Sequence, residues 1–336
     1  MGLPRSQYVR EGKVGVYHCT TRCVRRAFLA GFDSHTGRDF SHRKQWIEDR
    51  LQFLASIFSV EVTTFSVMSN HYHVTLRIRP DIIDTWSDRE VASRWLTLCP
   101  NRYRSKKKTP EPVQEQVRNL ALCSERIAEL RNRLCSLSWF MRCINEFIAR
   151  AANKEDSVKG RFWESRFKCK ALLDSAAVTA GMVYIDLNPI RAGIADTPED
   201  SDFTGIQQRI RFRKHPSSSG PTSKPIPGSW LCPISSDGDG SGILPMSEEE
   251  YFMLVDKSGR LLHSNKPGAI DADLAPILQR IGAKPEAWPE TISGFEDRFR
   301  LVAGLTDNLR KFADQLGKRW LAGLSASRRL FEPSKS

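Results

Sequence analysis

The feature that most constrains this chain is a pair of strand-like runs, residues 61–68 and 71–78, separated only by Ser69-Asn70. Serine and asparagine close tight turns through local side-chain hydrogen bonds, so the two runs are predicted to be the antiparallel strands of one hairpin. Side chains alternate along a strand, which puts His71 and His73 on one face and Tyr72, Val74, Leu76 and Ile78 on the other. The apolar face needs helices against it, which leaves two imidazoles side by side on an exposed or cleft face. A lone hairpin is marginal in water, so other elements must complete the sheet. Residues 14–22 alternate as a strand, and 42–57 carries Trp46, Ile47, Leu51 and Leu54 at helical spacing. The order is strand, helix, strand, strand.

Beyond the hairpin, 82–98 and 112–137 read as helices joined by the basic run Arg104-Ser105-Lys106-Lys107-Lys108. A further helix is predicted over 137–153, with Phe140, Ile144, Phe147 and Ile148 at core spacing, then a strand over 160–172. Residues 174–188 read as a helix with Asp174 as N-cap and its end set by Pro189. The Ser-, Pro- and Gly-rich stretch 214–242, with Trp230 as its one large anchor, is the expected linker. It separates a unit of residues 1–213, with 82–136 as a helical insertion, from a mostly helical region 243–336 with helices expected at 248–254, 273–281, 295–302 and 307–321.

A formal net charge of +12 makes a polyanion the leading class of partner. No run approaches the ~20 apolar residues of a membrane span, and residues 1–10 have no signal-like apolar core. The eight cysteines show no CxxC spacing, and Cys19 with Cys23 cannot complete a tetrahedral metal site. The expectation is a cytoplasmic protein with reduced thiols and no membrane partner.

Two elements carry chemistry. Two histidines on one strand face can share a divalent ion or a phosphate oxygen, although zinc sites use the same spacing. Tyr184 and Asn188 stand four apart on the 174–188 helix, hence on one face and about 6 Å apart. A phenol and an amide there can meet one ion or phosphate; equally, the ring can pack in the core while Asn188 caps the helix.

Together these elements resemble a known family. Ser69-Asn70-His71-Tyr72-His73 looks like the histidine–hydrophobic–histidine signature of HUH nucleases. Tyr184 through Gly193 looks like the tyrosine helix and Asn-Pro segment of REP-associated tyrosine transposases, relatives of the single-tyrosine transposases. Val16-Tyr17-His18-Cys19-Thr20-Thr21-Arg22 and Gly160-Arg161-Phe162-Trp163-Glu164-Ser165-Arg166 match as well, so the resemblance spans roughly residues 10–200. The insertion 82–136 is longer than a minimal member needs, and Cys23 stands where a small residue such as glycine is common.

The resemblance implies an α+β fold, a ferredoxin-like antiparallel sheet with packed helices. It implies a metal held by His71, His73 and Asn188, with Tyr184 as nucleophile, forming a 5′-phosphotyrosine on single-stranded, hairpin-forming DNA. An imidazole and amide donor set with water suits Mg²⁺ or Mn²⁺. Arg22, Arg25, Arg26, Arg161, Arg166, Lys168 and Lys170 are the candidate DNA contacts. Relatives imply either a monomer or a homodimer. Two rivals stand beside this reading: a DNA-binding protein that organises or represses repeat hairpins without cutting, and a zinc hydrolase built on His71 and His73.

Overall fold

In a computed structural model of the chain, Gly15–Arg22 (β1), Val60–Val67 (β2) and His71–Ile78 (β3) form the centre of the sheet. Residues 4–10, 12–24, 29–33, 37–100, 112–214, 230–235, 241–263 and 273–331 are the described residues. β2 and β3 are the expected hairpin, closed by the Met68 amide donating to the His71 carbonyl at 2.9 Å. β1 lies along the other edge of β3, antiparallel, with Thr20 opposite His73 and Arg22 opposite His71. Lys168–Leu172 (β4) continues the sheet antiparallel to β1, and Val302–Ala303 (β5) adds a short edge parallel to β4. The strand order is β2-β3-β1-β4-β5. The sheet is thus mostly antiparallel, with a parallel edge contributed from the C-terminal region that the sequence did not signal.

The strand expected over 160–172 is confined to its last five residues. Upstream, Phe162 and Phe167 are buried and the Trp163 indole N–H donates to the Asn145 carbonyl at 2.8 Å, so aromatic anchors hold 160–167 as a loop. The loop touches the end of β1 through a Cys23–Trp163 bridge and an amide of Glu164 donating to Arg22.

Helices cover both faces. Arg43–Ile57 (α1) and Leu137–Glu155 (α2) bring Ile47, Leu51, Leu54, Phe140, Ile144 and Ile148 into one core with Tyr17, Cys19, Tyr72, Val74 and Leu76. Ser175–Asp186 (α3) packs against β2, β3 and β4 and is buried from Ala176 to Asp186. A helix apolar all round needs cover on every side. Gly205–Lys214 (α4) lies beside β2, and Glu248–His263 (α5), Leu274–Ile281 (α6) and Trp288–Arg298 (α7) close over α3. On the histidine face, His73 is 1% exposed beneath this second layer, whereas His71 is half-buried and lines a small cavity.

Other local expectations shift. The 82–98 helix is a turn at Pro80–Ile83 followed by Asp88–Leu98, whose N-cap Ser87 accepts from the Glu90 amide. The 112–137 helix is two, Gln114–Ala121 and Ser124–Leu134, broken at Leu122-Cys123. Nor does a helix run over 295–302, because α7 ends at Arg298 and the chain extends into β5. The last expected helix, 307–321, stops at Gln315, just before Gly317 turns at φ +63°. Arg25, Arg26, the basic run 104–108 and most of 214–242 lie outside the described residues. Trp230 packs its ring 5.5 Å from that of Phe65 on β2. Among the described residues no helix is long and apolar enough to cross a membrane.

The end of α3 is pinned by Asp186, fully buried, which accepts from the hydroxyls of Thr64 and Tyr251 and from the Ile206 amide. Gly205 permits this: a Cβ there would stand 2.9 Å from the Thr64 Cα. Burial pushes the Asp186 carboxyl up to about 6, against the pull of its donors. A carboxyl raised in the folded state binds its proton more tightly there than when unfolded. Its contribution to stability therefore falls as pH rises from about 4 through about 6, by about 3 kcal/mol in full. Asp186→Asn should flatten that part of the profile. Urea unfolding of both proteins at pH 5 and pH 8 checks it, and parallel shifts with pH in the two proteins would refute it.

Candidate active site

β1 and β3 supply the polar floor of the site. The register that sets Thr20 opposite His73 also brings in His18, a residue the sequence reading left as part of a motif without a role. His18 Nε2 lies 2.9 Å from His73 Nδ1, and Thr20 Oγ1 lies 3.1 Å from the same atom. His71 stands 4.9 Å from His73, ring to ring, with its Nδ1 2.6 Å from Asn70 Oδ1. Each residue of the pair thus has Nδ1 tied to a neighbour and Nε2 left as the second nitrogen, the arrangement that orients an imidazole as a ligand. Burial keeps all three rings neutral. It pushes His71 down to about 4, helped by Arg22, and pushes His18 and His73 well below their ordinary value, helped by Lys170 and by the neighbouring rings.

α3 supplies Tyr184, whose ring lies 6.1 Å from His73 and 6.5 Å from His18. Its hydroxyl donates to Glu296 Oε2 at 3.1 Å, and the Arg191 guanidinium sits 4.3 Å from the ring centre. Arg191 also donates to the Ser293 carbonyl, tying this corner to α7. Burial and the Glu296 carboxylate push the phenol above its ordinary value while Arg191 pulls it down. Neither Glu296 nor Arg191 was singled out from sequence. Glu296 reaches the site from 112 residues away, and Arg191 lay within the quoted 184–193 segment without a role of its own.

Asn188 does not continue the tyrosine helix. α3 ends at Asp186, and Asn188–Arg191 forms a separate turn with Pro189 in its first positions, so helical periodicity no longer sets the Tyr184–Asn188 relation. Asn188 is 8% exposed, and its Nδ2 is buried without a hydrogen-bond partner among the described residues, as is His18 Nδ1. Orphaned buried polar atoms of this kind call for a missing partner. Among the described residues no group of three or more His, Cys, Asp or Glu stands ready to hold a metal.

The basic candidates divide. Arg22, Lys168 and Lys170 line one cavity of about 590 Å³ with His18, Thr20, Cys169, Glu296, Asp297 and Arg300. Lys168 and Arg22 are exposed, but Lys170 is 5% exposed, its Nζ 3.3–3.4 Å from the carbonyls of Phe295 and Glu296. Burial pushes it down to about 8, opposed by Glu296 and Asp297, so it is a buried cation on the lining of the cavity. Arg161 and Arg166 are exposed on the 160–167 loop, not on a strand.

No protein-family model matches the sequence, and no curated protein does. One solved structure, of a REP-associated tyrosine transposase bound to a REP hairpin, is similar at 14% identity and a TM-score of 0.37. It covers 74% of this chain and 100% of its own. A likeness that distant settles nothing about the site.

Proposed function

We propose that this chain is a metal-dependent nuclease and strand transferase that cleaves single-stranded, hairpin-forming DNA through a phosphotyrosine on Tyr184. The observation that carries the reading is the convergence of the Tyr184 phenol, three neutral histidines and a cation-lined cavity at one end of the sheet. The sheet supports it too. Its first four strands run β2-β3-β1-β4, each antiparallel to its neighbour, the order a ferredoxin-like HUH core requires.

Phosphodiester cleavage needs a nucleophile, a destination for its proton and positive charge at the phosphoryl oxygens. Tyr184 attacks phosphorus, and its proton passes to Glu296, which already accepts the phenolic hydrogen bond. The P–O bond to the departing 3′-oxygen breaks as the Tyr–O–P bond forms, and that oxygen leaves as a 3′-hydroxyl once protonated. Because the phosphotyrosine conserves the ester, another 3′-hydroxyl can reverse the step. Lys170, Arg22 and Arg300 supply fixed positive charge in the cavity. His71 and His73, through Nε2, and Asn188 are the residues to hold Mg²⁺ or Mn²⁺, which when bound would polarise the phosphate.

The test is a labelled hairpin oligonucleotide with a single-stranded flank, incubated with protein and Mn²⁺ and resolved under denaturing conditions. A covalent protein–DNA species supports the reading. Binding without any adduct would leave a protein that organises hairpins and does not cut them. Glu296→Gln keeps a partner for the phenol but loses the base, so adduct formation should slow about a hundredfold. An adduct rate unchanged in Glu296→Gln removes Glu296 from the proton's path.

A further inference from the structure

The far face of β1 and β4 carries a pair that none of the roles above uses. Cys19 on β1 stands directly opposite Cys169 on β4, and both are buried with free thiols. Hydrogen bonds along the two strands show which kind of pair this is. The Glu164 amide donates to the Arg22 carbonyl while the Cys23 amide turns to Asn70, so odd-numbered residues of β1 direct their backbone groups to β3. The Ala171 and Leu173 amides donate to the Leu301 and Ala303 carbonyls, so odd-numbered residues of β4 turn to β5. Cys19 and Cys169 therefore share no backbone hydrogen bond. In such a pair of an antiparallel ladder the Cα atoms approach to about 4.5 Å and the side chains lie closest. That separation is inside the span of roughly 4.4–6.8 Å that a disulfide bridges. Burial and a hydrogen bond to the Cys169 thiol push the Cys19 thiol well above its ordinary value, so the two groups already meet in the reduced protein.

We infer that Cys19 and Cys169 are a reversible disulfide site, oxidised by exchange with a small-molecule disulfide, that staples β1 to β4. Cys169 attacks first, being 5% exposed against 0% for Cys19. Its thiolate joins one sulfur of the small disulfide and releases the other as a thiol. Cys19 then loses its proton and displaces the second small thiol as the Cys19–Cys169 bond forms. Two protein thiols are oxidised, one disulfide is reduced to two thiols, and the protons lost by the cysteines appear on the thiols released. The short helix Arg5–Tyr8 lies beside the pair, with Tyr8 in the same core and Arg5 donating to the Phe167 carbonyl at 2.8 Å. Exchange must pass this cover, so it takes minutes to hours. The bond acts on the site through the strands. His18 and Thr20 flank Cys19, Lys168 and Lys170 flank Cys169, and all four line the cavity on the opposite face. Oxidation thus fixes the spacing between the imidazole side and the ammonium side of its floor.

The experiment incubates the full chain with oxidised and reduced glutathione in a series of ratios, alkylates it under denaturing conditions and maps linked peptides by mass spectrometry. A Cys19–Cys169 peptide should appear, rise with the oxidised fraction and vanish on treatment with dithiothreitol. The oxidised protein should melt higher by about 5 °C or more, because the bond closes a loop of about 150 residues in the unfolded chain. Cys169→Ala should lose both the linked peptide and the shift. Should that variant fail to fold, the peptide map and melting shift of the unmodified protein decide alone. Cys19 and Cys169 still fully alkylated after the exposed Cys99 and Cys123 have reacted would overturn the site. So would a linked peptide that forms only in urea, or one whose formation leaves the melting temperature unchanged or lower.

Discussion

Tyr184→Phe should eliminate the covalent protein–DNA species while hairpin affinity should stay within about twofold. The substitution removes one oxygen and nothing else, and the ring keeps its neighbours His73, His18 and Phe295. The lost hydrogen bond to Glu296 lies in a part-buried corner, so the fold is retained. A nucleophile cannot be replaced by packing, and the loss should exceed a thousandfold in adduct rate, down to the background of the assay. Denaturing gels of labelled DNA measure it directly. An adduct that persists in the variant would assign the attack to another group and end the tyrosine mechanism.

Withdrawal of the divalent ion is the second large effect. Chelation should abolish adduct formation, Mn²⁺ or Mg²⁺ should restore it, and His71→Ala should resist restoration at ordinary ion concentrations. A Lewis acid at a phosphoryl oxygen is worth several kcal/mol, hence about a thousandfold or more in rate. His71 is the better of the two histidines to remove, because His73 is fully buried in a hydrogen-bonded group and its loss would disturb β1. Isothermal titration with Mn²⁺ gives a readout independent of cleavage: the unmodified protein should bind the ion and His71→Ala should bind it at least tenfold more weakly. Full activity in the presence of chelator would show that the cations of the cavity suffice.

Much of this was legible in the residues and some was not, for reasons that differ. The hairpin, the shared face of His71 and His73 and the Asp174 cap of α3 are local: turn chemistry, period-two alternation and one side-chain hydrogen bond determine them. The place of His18 depends on the register of β1 against β3, a long-range pairing that no window of sequence contains. The burial of Lys170 had no local signal, because lysine is ordinarily a surface residue. Here β4 lies under α7, and the ammonium finds the carbonyls at that helix's end. The 160–167 segment was expected to continue the strand of 168–172, yet its aromatics anchor a loop. Glu296 had no local signal at all.

That carboxylate has a temporal consequence. Glu296 and the edge strand β5 lie more than a hundred residues downstream of Tyr184 and β4. A ribosome elongating at about 5–20 residues per second needs on the order of ten seconds to synthesise that interval. During it the nascent chain carries its histidines and tyrosine without the residue that meets the phenol. The phenol therefore has no such partner until the chain has been extended past residue 296.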